Sequence, residues 1–350
     1  MSKSKNTKRS FSFRSLLVFL TFILVAIVIY KNWGDIETTF LHIQEANLLV
    51  LILLIPEQLL MLYAGGKVLF SYLEHKGLKK RKYPRAWTMM RIALESNFTK
   101  QAFPSAGISA AAYLSWRLVP YGSSPAQTSF MYILRQVIIV GVNQIQTLIA
   151  TFFVVATTDL TAAGRVVVFL SFLVALGTGL LMGAIFVLIS SKRRIDWFAD
   201  RGTRFVNFVV RIFTFGKKRK VVDEKKVGGF LLELHENYLF AKENKVALKK
   251  PVIWGAIYSV CEIMTYFIVG CSLGHPEILP QIMIGEAIGS VLGVVVPYGI
   301  YELGMAGAMA SLGVNVGVAS LVVVITRVLV LGETMTLGFL LYHRAIRRNG

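Results

Sequence analysis

Apolar stretches long enough to cross a bilayer recur along most of the chain, at roughly 14–30, 47–72, 86–118, 126–156, 165–190, 251–273, 281–313 and 317–342. A membrane-crossing helix takes about 20 mostly apolar residues. Within hydrocarbon every backbone polar group must be satisfied inside the protein, so such segments fold as helices rather than as an open sheet. Composition agrees, with 55% of the 350 residues hydrophobic and only 16% charged, against roughly a quarter charged in soluble domains. Collagen, coiled-coil, disulfide-rich and soluble-enzyme classes are excluded. Cys261 and Cys271 share one apolar stretch and cannot build a disulfide framework. His42, His75, His235, His275 and His343 are scattered without metal-ligand spacing.

The formal charge of +19 is concentrated rather than spread. Of 38 Lys and Arg, 30 lie in residues 1–15, 74–85, 191–250 and 343–350. The connections 31–46, 157–165 and 274–280 hold only Lys31 and Arg165, against Asp35, Glu37, Glu45, Asp159 and Glu277. By the positive-inside rule the four basic regions, with both termini, are expected to face the cytoplasm, and the expected location is the plasma (cytoplasmic) membrane. Anionic lipid headgroups are the expected partners of these segments at the cytoplasmic face, and a nucleic-acid partner is not expected. Within 191–250, Ile195, Phe198, Phe205, Phe208, Val209 and Ile212 recur at helical intervals among arginines, the pattern of a helix lying in the lipid interface. Leu16–Tyr30 runs into Lys31-Asn32-Trp33 without a small-residue cleavage site, so it reads as a retained first span.

Orientation then becomes a parity problem. The basic loops require 86–118 to begin and end inside and 281–313 to begin and end outside. Both segments have 33 residues, enough for two short spans or a re-entrant hairpin. Each is interrupted near its middle, by Phe103-Pro104-Ser105-Ala106-Gly107 and by Val296-Pro297-Tyr298-Gly299. Proline removes a backbone donor and breaks a helix, so Pro104, Gly107, Pro297 and Gly299 mark the expected breaks. Pro104 is followed by Gly122, Arg135 and Gly141, and Pro297 by Gly313, Arg327 and Gly332, at intervals that agree within two residues. The expected fold class is an all-α polytopic membrane protein of inverted repeats, with about six full spans plus two re-entrant helical hairpins. The first repeat is 1–156, with re-entrant segment 86–118. The second is 157–350, with the basic amphipathic loop 191–250 and re-entrant segment 281–313. Paired broken helices in inverted repeats are the signature of secondary transporters, whose substrate site lies near the midplane.

Twelve charged residues remain inside apolar segments: Lys67, Arg91, Lys100, Arg117, Arg135 and Arg327, and Glu57, Glu95, Glu262, Glu286, Glu302 and Glu333. Each costs at least ~2.5 kcal/mol at a span centre, so unpaired placement against lipid is excluded. Lys67, Arg91 and Arg117 lie near segment ends, where they are expected to snorkel. Arg135 and Arg327 sit deep in repeat-related spans. Guanidinium stays charged and bonds phosphate oxygens bidentately, so these two are the expected substrate-binding pair. Ion pairing with Glu95, Glu286 or Glu302 is the structural alternative, and these carboxylates are candidate site residues too. Glu302 follows the second break directly, where it can cap a half-helix, bind a cationic headgroup or carry a proton. Asn97 is a candidate polar group beside the first break; Gln101, Asn143, Gln144 and Gln146 read mainly as glue between helices. Gly285, Gly289 and Gly293 form a double GxxxG, which packs the hairpin internally or joins a homodimer.

The run from Val296 to Arg344, with Pro297, Gly299, Glu302, Gly313 and Arg327, resembles the end of the lysylphosphatidylglycerol synthase transmembrane-region family. Asn97, Pro104, Gly107, Gly122 and Arg135 resemble its first half more loosely. Tyr298 replaces a usual glycine, and Ser109, Ala110 and Tyr113 stand where a polar Glu-x-x-Arg often follows the first Pro-Gly. The resemblance implies a flippase like the membrane half of the multiple peptide resistance factor, acting on an anionic or aminoacylated phospholipid. Relatives beside polyprenyl-linked sugar pathways keep a polyprenyl-phosphate-type lipid open. The 350 residues contain no synthase domain, so lysyl-lipid synthesis is not expected here, though a separate synthase is a conceivable partner. No catalytic residue, metal site or cofactor is expected. The competing readings are a non-catalytic scaffold for a lipid synthase or glycosyltransferase, and a membrane enzyme acting on a lipid phosphate. Against the enzyme, Asp35, Asp159, Asp196, Asp200 and Asp223 all lie outside the apolar segments.

Overall fold

The computed structural model describes residues 46–75, 83–103, 107–213, 224–295 and 299–349. The expected first span at 14–30 and the break prolines Pro104 and Pro297 lie outside them. Every regular element among the described residues is helical. Five helices are long and apolar enough to cross a membrane: Leu48–His75, Pro125–Thr157, Ala162–Ile189, Val246–Ser272 and Val316–Arg347. Their positions match the five expected spans that fall among the described residues.

The bundle is organised around an antiparallel pair. Helix α1 (Leu54–His75) is preceded by a turn that the Asn47 side chain caps by accepting from the Leu49 N–H at 3.0 Å. The Asn47 N–H donates to the Ser272 carbonyl at 2.8 Å, joining the start of α1 to the end of α8 (Val246–Ser272). At the opposite end Lys250 Nζ meets Glu74 Oε2 at 3.1 Å.

The segment 86–118 folds as α2 (Ala86–Ala102) and α3 (Ile108–Arg117), and 281–313 as α9 (Leu279–Val295) and α10 (Ile300–Ser311). Both second helices begin at a glycine with positive φ, +89° at Gly107 and +84° at Gly299. Only a residue without Cβ adopts this region freely, so each glycine lets the chain reverse and restart a helix. The Ser109 hydroxyl bridges the first break, donating to the carbonyls of Thr99 and Phe103, each at 2.9 Å. In the second hairpin the GxxxG stripe is occupied from within. A Cβ on Gly289 would lie 3.0 Å from the Tyr301 carbonyl, and one on Gly285 2.9 Å from that of Met305.

Two long helices complete the frame. Helix α4 (Pro125–Thr157) packs against α9, and α5 (Ala162–Ile189) lies along its outside with most side chains exposed, as a lipid-facing helix should. Helix α11 (Val316–Glu333) continues through one π turn, Thr334–Gly338, into α12 (Phe339–Asn349). The π turn sits where α2 presses in. Phe98 packs on Gly338 and its ring lies 5.8 Å from that of Phe339.

The basic region is more than an interfacial loop. It forms α6 (Lys192–Phe213) and α7 (Glu224–Glu243), and α7 folds onto the bundle. Leu234 and Ala241 join the core with Phe70, Tyr72 and Phe130. Tyr72 Oη donates to the Asn237 carbonyl at 3.1 Å, and the Ser124 hydroxyl donates to Glu233.

Close backbone approach carries this packing, and it can be tested at one residue. A Cβ on Gly66 would lie 2.6 Å from Met89 Cβ and 2.7 Å from its carbonyl, whereas one on Gly179 of α5 meets nothing within 4 Å. Thermal unfolding in detergent should show Gly66→Leu losing about 3 kcal/mol through overpacking. Gly179→Leu should stay within ~0.5 kcal/mol of the parent.

Candidate functional site

Helical spacing places several polar groups on facing surfaces. Tyr132, Arg135, Gln136 and Ile139 fall along one stripe of α4, Asn97 and Lys100 on one face of α2, and Tyr258 and Glu262 one turn apart on α8. These faces, with Ala110 of α3, enclose a polar cavity of about 40 Å³. That is room for two or three waters or one small oxyanion, at ~10–15 Å³ for each water.

Arg135 is only 4% exposed. Its guanidinium lies 4.8 Å from the centre of the Tyr258 ring, and Gly65 leaves the space it occupies. Its Nε is buried with no hydrogen-bond partner, and no carboxylate among the described residues lies within ion-pair distance of it. Lys100 and Glu262 likewise have no hydrogen-bond or ion-pair partner among the described residues. Lys100 feels the charges of Glu262, Arg135, Arg327 and Glu286 together, so groups from both halves of the chain converge here.

The second deep arginine is placed differently. Arg327 Nε donates to Glu302 Oε1 at 2.8 Å, and its guanidinium stacks 4.0 Å from the Tyr301 ring. Glu302 Oε2 accepts from the Gly299 N–H at 2.6 Å, so this carboxylate both caps α10 and holds Arg327. The two hairpins explain the asymmetry. Glu302 stands three residues after the positive-φ glycine of its hairpin, and Ala110 stands three residues after Gly107. Ala110 lines the cavity beside Arg135 but has no carboxylate to offer it.

The other expected site residues divide in the same way. Asn97 lines the cavity. Glu95 does not: it is fully buried and occupied, accepting from Tyr113 Oη at 2.7 Å, Arg117 Nε at 3.0 Å and Arg91 Nη2 at 3.4 Å. Arg91 and Arg117 thus turn inward to Glu95, where near-terminal positions suggested snorkelling. Desolvating a carboxylate is more costly than the reach to lipid headgroups is favourable, so the cations follow it. Glu286, 3% exposed, accepts from the Ser290 hydroxyl and from Asn143 Nδ2 at 3.4 Å. Asn143 also accepts from Ser259, joining α4, α8 and α9 as the interhelical reading expected. Of the breaks, Gly107 and Gly299 start their helices as described, while Pro104 and Pro297 lie outside the described residues.

Sequence reasoning left Lys100, Glu262, Tyr258 and Gln136 without a site role. A signal existed for two of them. Lys100 is three residues from Asn97 on one helical face, and Glu262 is the one charged residue within the 251–273 run. Among the described residues no group of three or more His, Cys, Asp or Glu is arranged to hold a metal ion.

A second, larger groove of about 430 Å³ lies on the other face of the α2–α3 tip, walled by Phe103, Tyr113, Trp116, Tyr342 and Ile346. The protein is therefore an all-α membrane protein with a polar cavity lined by Arg135, Lys100 and Glu262. No protein-family model, curated protein or solved structure matches the chain.

The pairing pattern predicts opposite outcomes at two carboxylates. Glu95→Ala strands Arg91 and Arg117 in the interior and should cost about 3–5 kcal/mol in thermal unfolding. Glu262→Gln, which breaks no hydrogen bond or ion pair among the described residues, should lower the melting temperature much less than Glu95→Ala does.

Proposed function

We propose that the protein moves an anionic lipid, a phospholipid or a polyprenyl-phosphate-type lipid, between the membrane leaflets. The carrying observation is Arg135: a buried guanidinium with an unpartnered Nε, beside Lys100, on a cavity sized for an oxyanion. A buried cation left without a counter-ion is costly, and a phosphate satisfies it with bidentate, charge-assisted hydrogen bonds. The structural partner that Arg327 has in Glu302 is missing for Arg135, which leaves that guanidinium for a ligand.

Several features support the inverted-repeat, re-entrant architecture behind this reading. The antiparallel α1–α8 pair occupies equivalent places in the two halves. Each hairpin packs on the last span of the other half, α9 on α4 and α2 on the π turn after α11. Both hairpins restart at a positive-φ glycine. The resemblance to the lysylphosphatidylglycerol synthase transmembrane region points the same way. The aromatic groove offers apolar chains a surface one helical face away from the cavity, since Thr99 lines the groove and Lys100 the cavity. Headgroup and chains can then be held at once without drawing the chains through the polar centre.

The test is transport in proteoliposomes holding the full chain and fluorescently labelled phosphatidylglycerol, read by quenching of the outer leaflet. The wild type should exceed empty vesicles. Arg135→Ala and Lys100→Ala should each slow it about ten- to a hundredfold, the equivalent of losing a hydrogen bond to a charged group. Folded wild-type protein that matches empty vesicles for phosphatidylglycerol and for a polyprenyl phosphate would overturn the proposal and favour the scaffold reading.

A further inference from the structure

Basic and acidic side chains around the cavity are matched in number. Lys100 and Arg135 are its basic side chains, and Glu262 on the wall and Glu286 behind it the acidic ones. Arg327 and Glu302 cancel within their own pair. A lipid phosphate bound to the basic pair therefore adds a negative charge beside two carboxyl groups. Unbalanced charge there is expensive, at about 4 kcal/mol for two unit charges 4 Å apart even at an effective dielectric of 20. The two carboxyl groups are fixed to α8 and α9 and cannot leave, so the added charge is offset by a cation that enters with the lipid. The smallest is a proton.

We infer that Glu262 takes up a proton when a lipid phosphate binds Arg135 and Lys100, so that lipid anion and proton cross the membrane together. This rests on the lipid-transport reading above and adds a second transported species. Two independent observations meet in it. The unpartnered Arg135 Nε, on a side chain 4% exposed, points to an anion in this cavity. Glu262 lines the same cavity uncommitted, unlike Glu95 and Glu302, which are held by cations and donors.

The surrounding groups fit the role. Lys100 faces Glu262 from α2, Arg135 from α4 and Glu286 from α9, while Tyr258 and Tyr266 flank it on α8. Arg327 of α11 acts on the same cluster but is occupied by Glu302. The nearest carboxylate of α1, Glu57, is turned away to Gln58 and Thr265, and its charge falls on Glu333 of α11 and on Cys261. Glu286 is close enough for its charge and that of Glu262 to bear on one another, so the pair can share the proton. The proton comes from water on the side where lipid is taken up and returns to water where lipid leaves. An O–H bond on the carboxylate forms and then breaks, and no other bond changes.

The decisive measurement uses the same proteoliposomes and labelled phosphatidylglycerol, whose single negative charge a proton cancels. With the outside one pH unit more acidic, the wild type should concentrate the probe in the inner leaflet, up to about tenfold for one proton per lipid. A potassium–valinomycin potential at equal pH should leave the distribution even, because the cargo is neutral. Glu262→Gln should lose the response to the pH gradient, while Glu57→Gln should keep it. Equilibration that ignores pH and follows voltage would overturn this inference and leave lipid transport standing. No movement of probe by folded wild type under any condition would remove the transport reading and this one with it. The wild-type response decides the matter even if a variant fails to fold.

Discussion

A guanidinium buried in an apolar bundle is the constraint around which this molecule is arranged. Arg135 is 4% exposed, in a setting where an uncompensated charge is among the most costly features a protein can carry. Three elements make it tolerable. The Tyr258 ring offers its negative face. Glu262 and Glu286 lend negative potential through the shared cluster. The cavity gives the unpaired donor room for a polar occupant. None of these is a dedicated counter-ion, and that separates Arg135 from Arg327.

The site needs helices held unusually close, and glycines allow it. Gly65 leaves the space into which Arg135 reaches, Gly66 brings α1 onto α2 at Met89, and Gly255 admits Ile138 of α4 against α8. In a membrane, lipid tails are as apolar as leucine, so such backbone approach replaces the hydrophobic force that packs soluble cores. The polar cavity can then be small and fixed. The exposed Phe169, Phe172 and Leu180 of α5 meanwhile cover the outside with lipid-compatible surface.

Much of the frame was legible in the sequence. Run lengths gave the five described spans within a few residues, and the Pro-Gly interruptions marked both hairpins. The interhelical role of Asn143 followed from the rule that polar groups inside bundles join helices, and its partners are Ser259 and Glu286. Less legible was α7, which has no strong amphipathic pattern of its own, yet docks Leu234 and Ala241 onto α1 and α4. Its place is set by cross-chain partners such as Tyr72 and Ser124, and no periodicity within 224–243 encodes those.

The sequence by itself located the five apolar helices found among the described residues and the interruptions of 86–118 and 281–313, and it singled out Arg135 and Arg327 as deep charges. Both properties are local: a run of apolar residues and a proline act on their own stretch of backbone. What only the tertiary structure decided is which charge meets which. Glu95 is taken by Arg91 and Arg117, Glu302 by Arg327, and Arg135 is left with Lys100 and Glu262 around a cavity. Helical periodicity fixes the face on which a side chain stands. Its partner is chosen by whichever helix packs there: Ala110, three residues after Gly107 as Glu302 is after Gly299, offers Arg135 no carboxylate, while Glu302 holds Arg327.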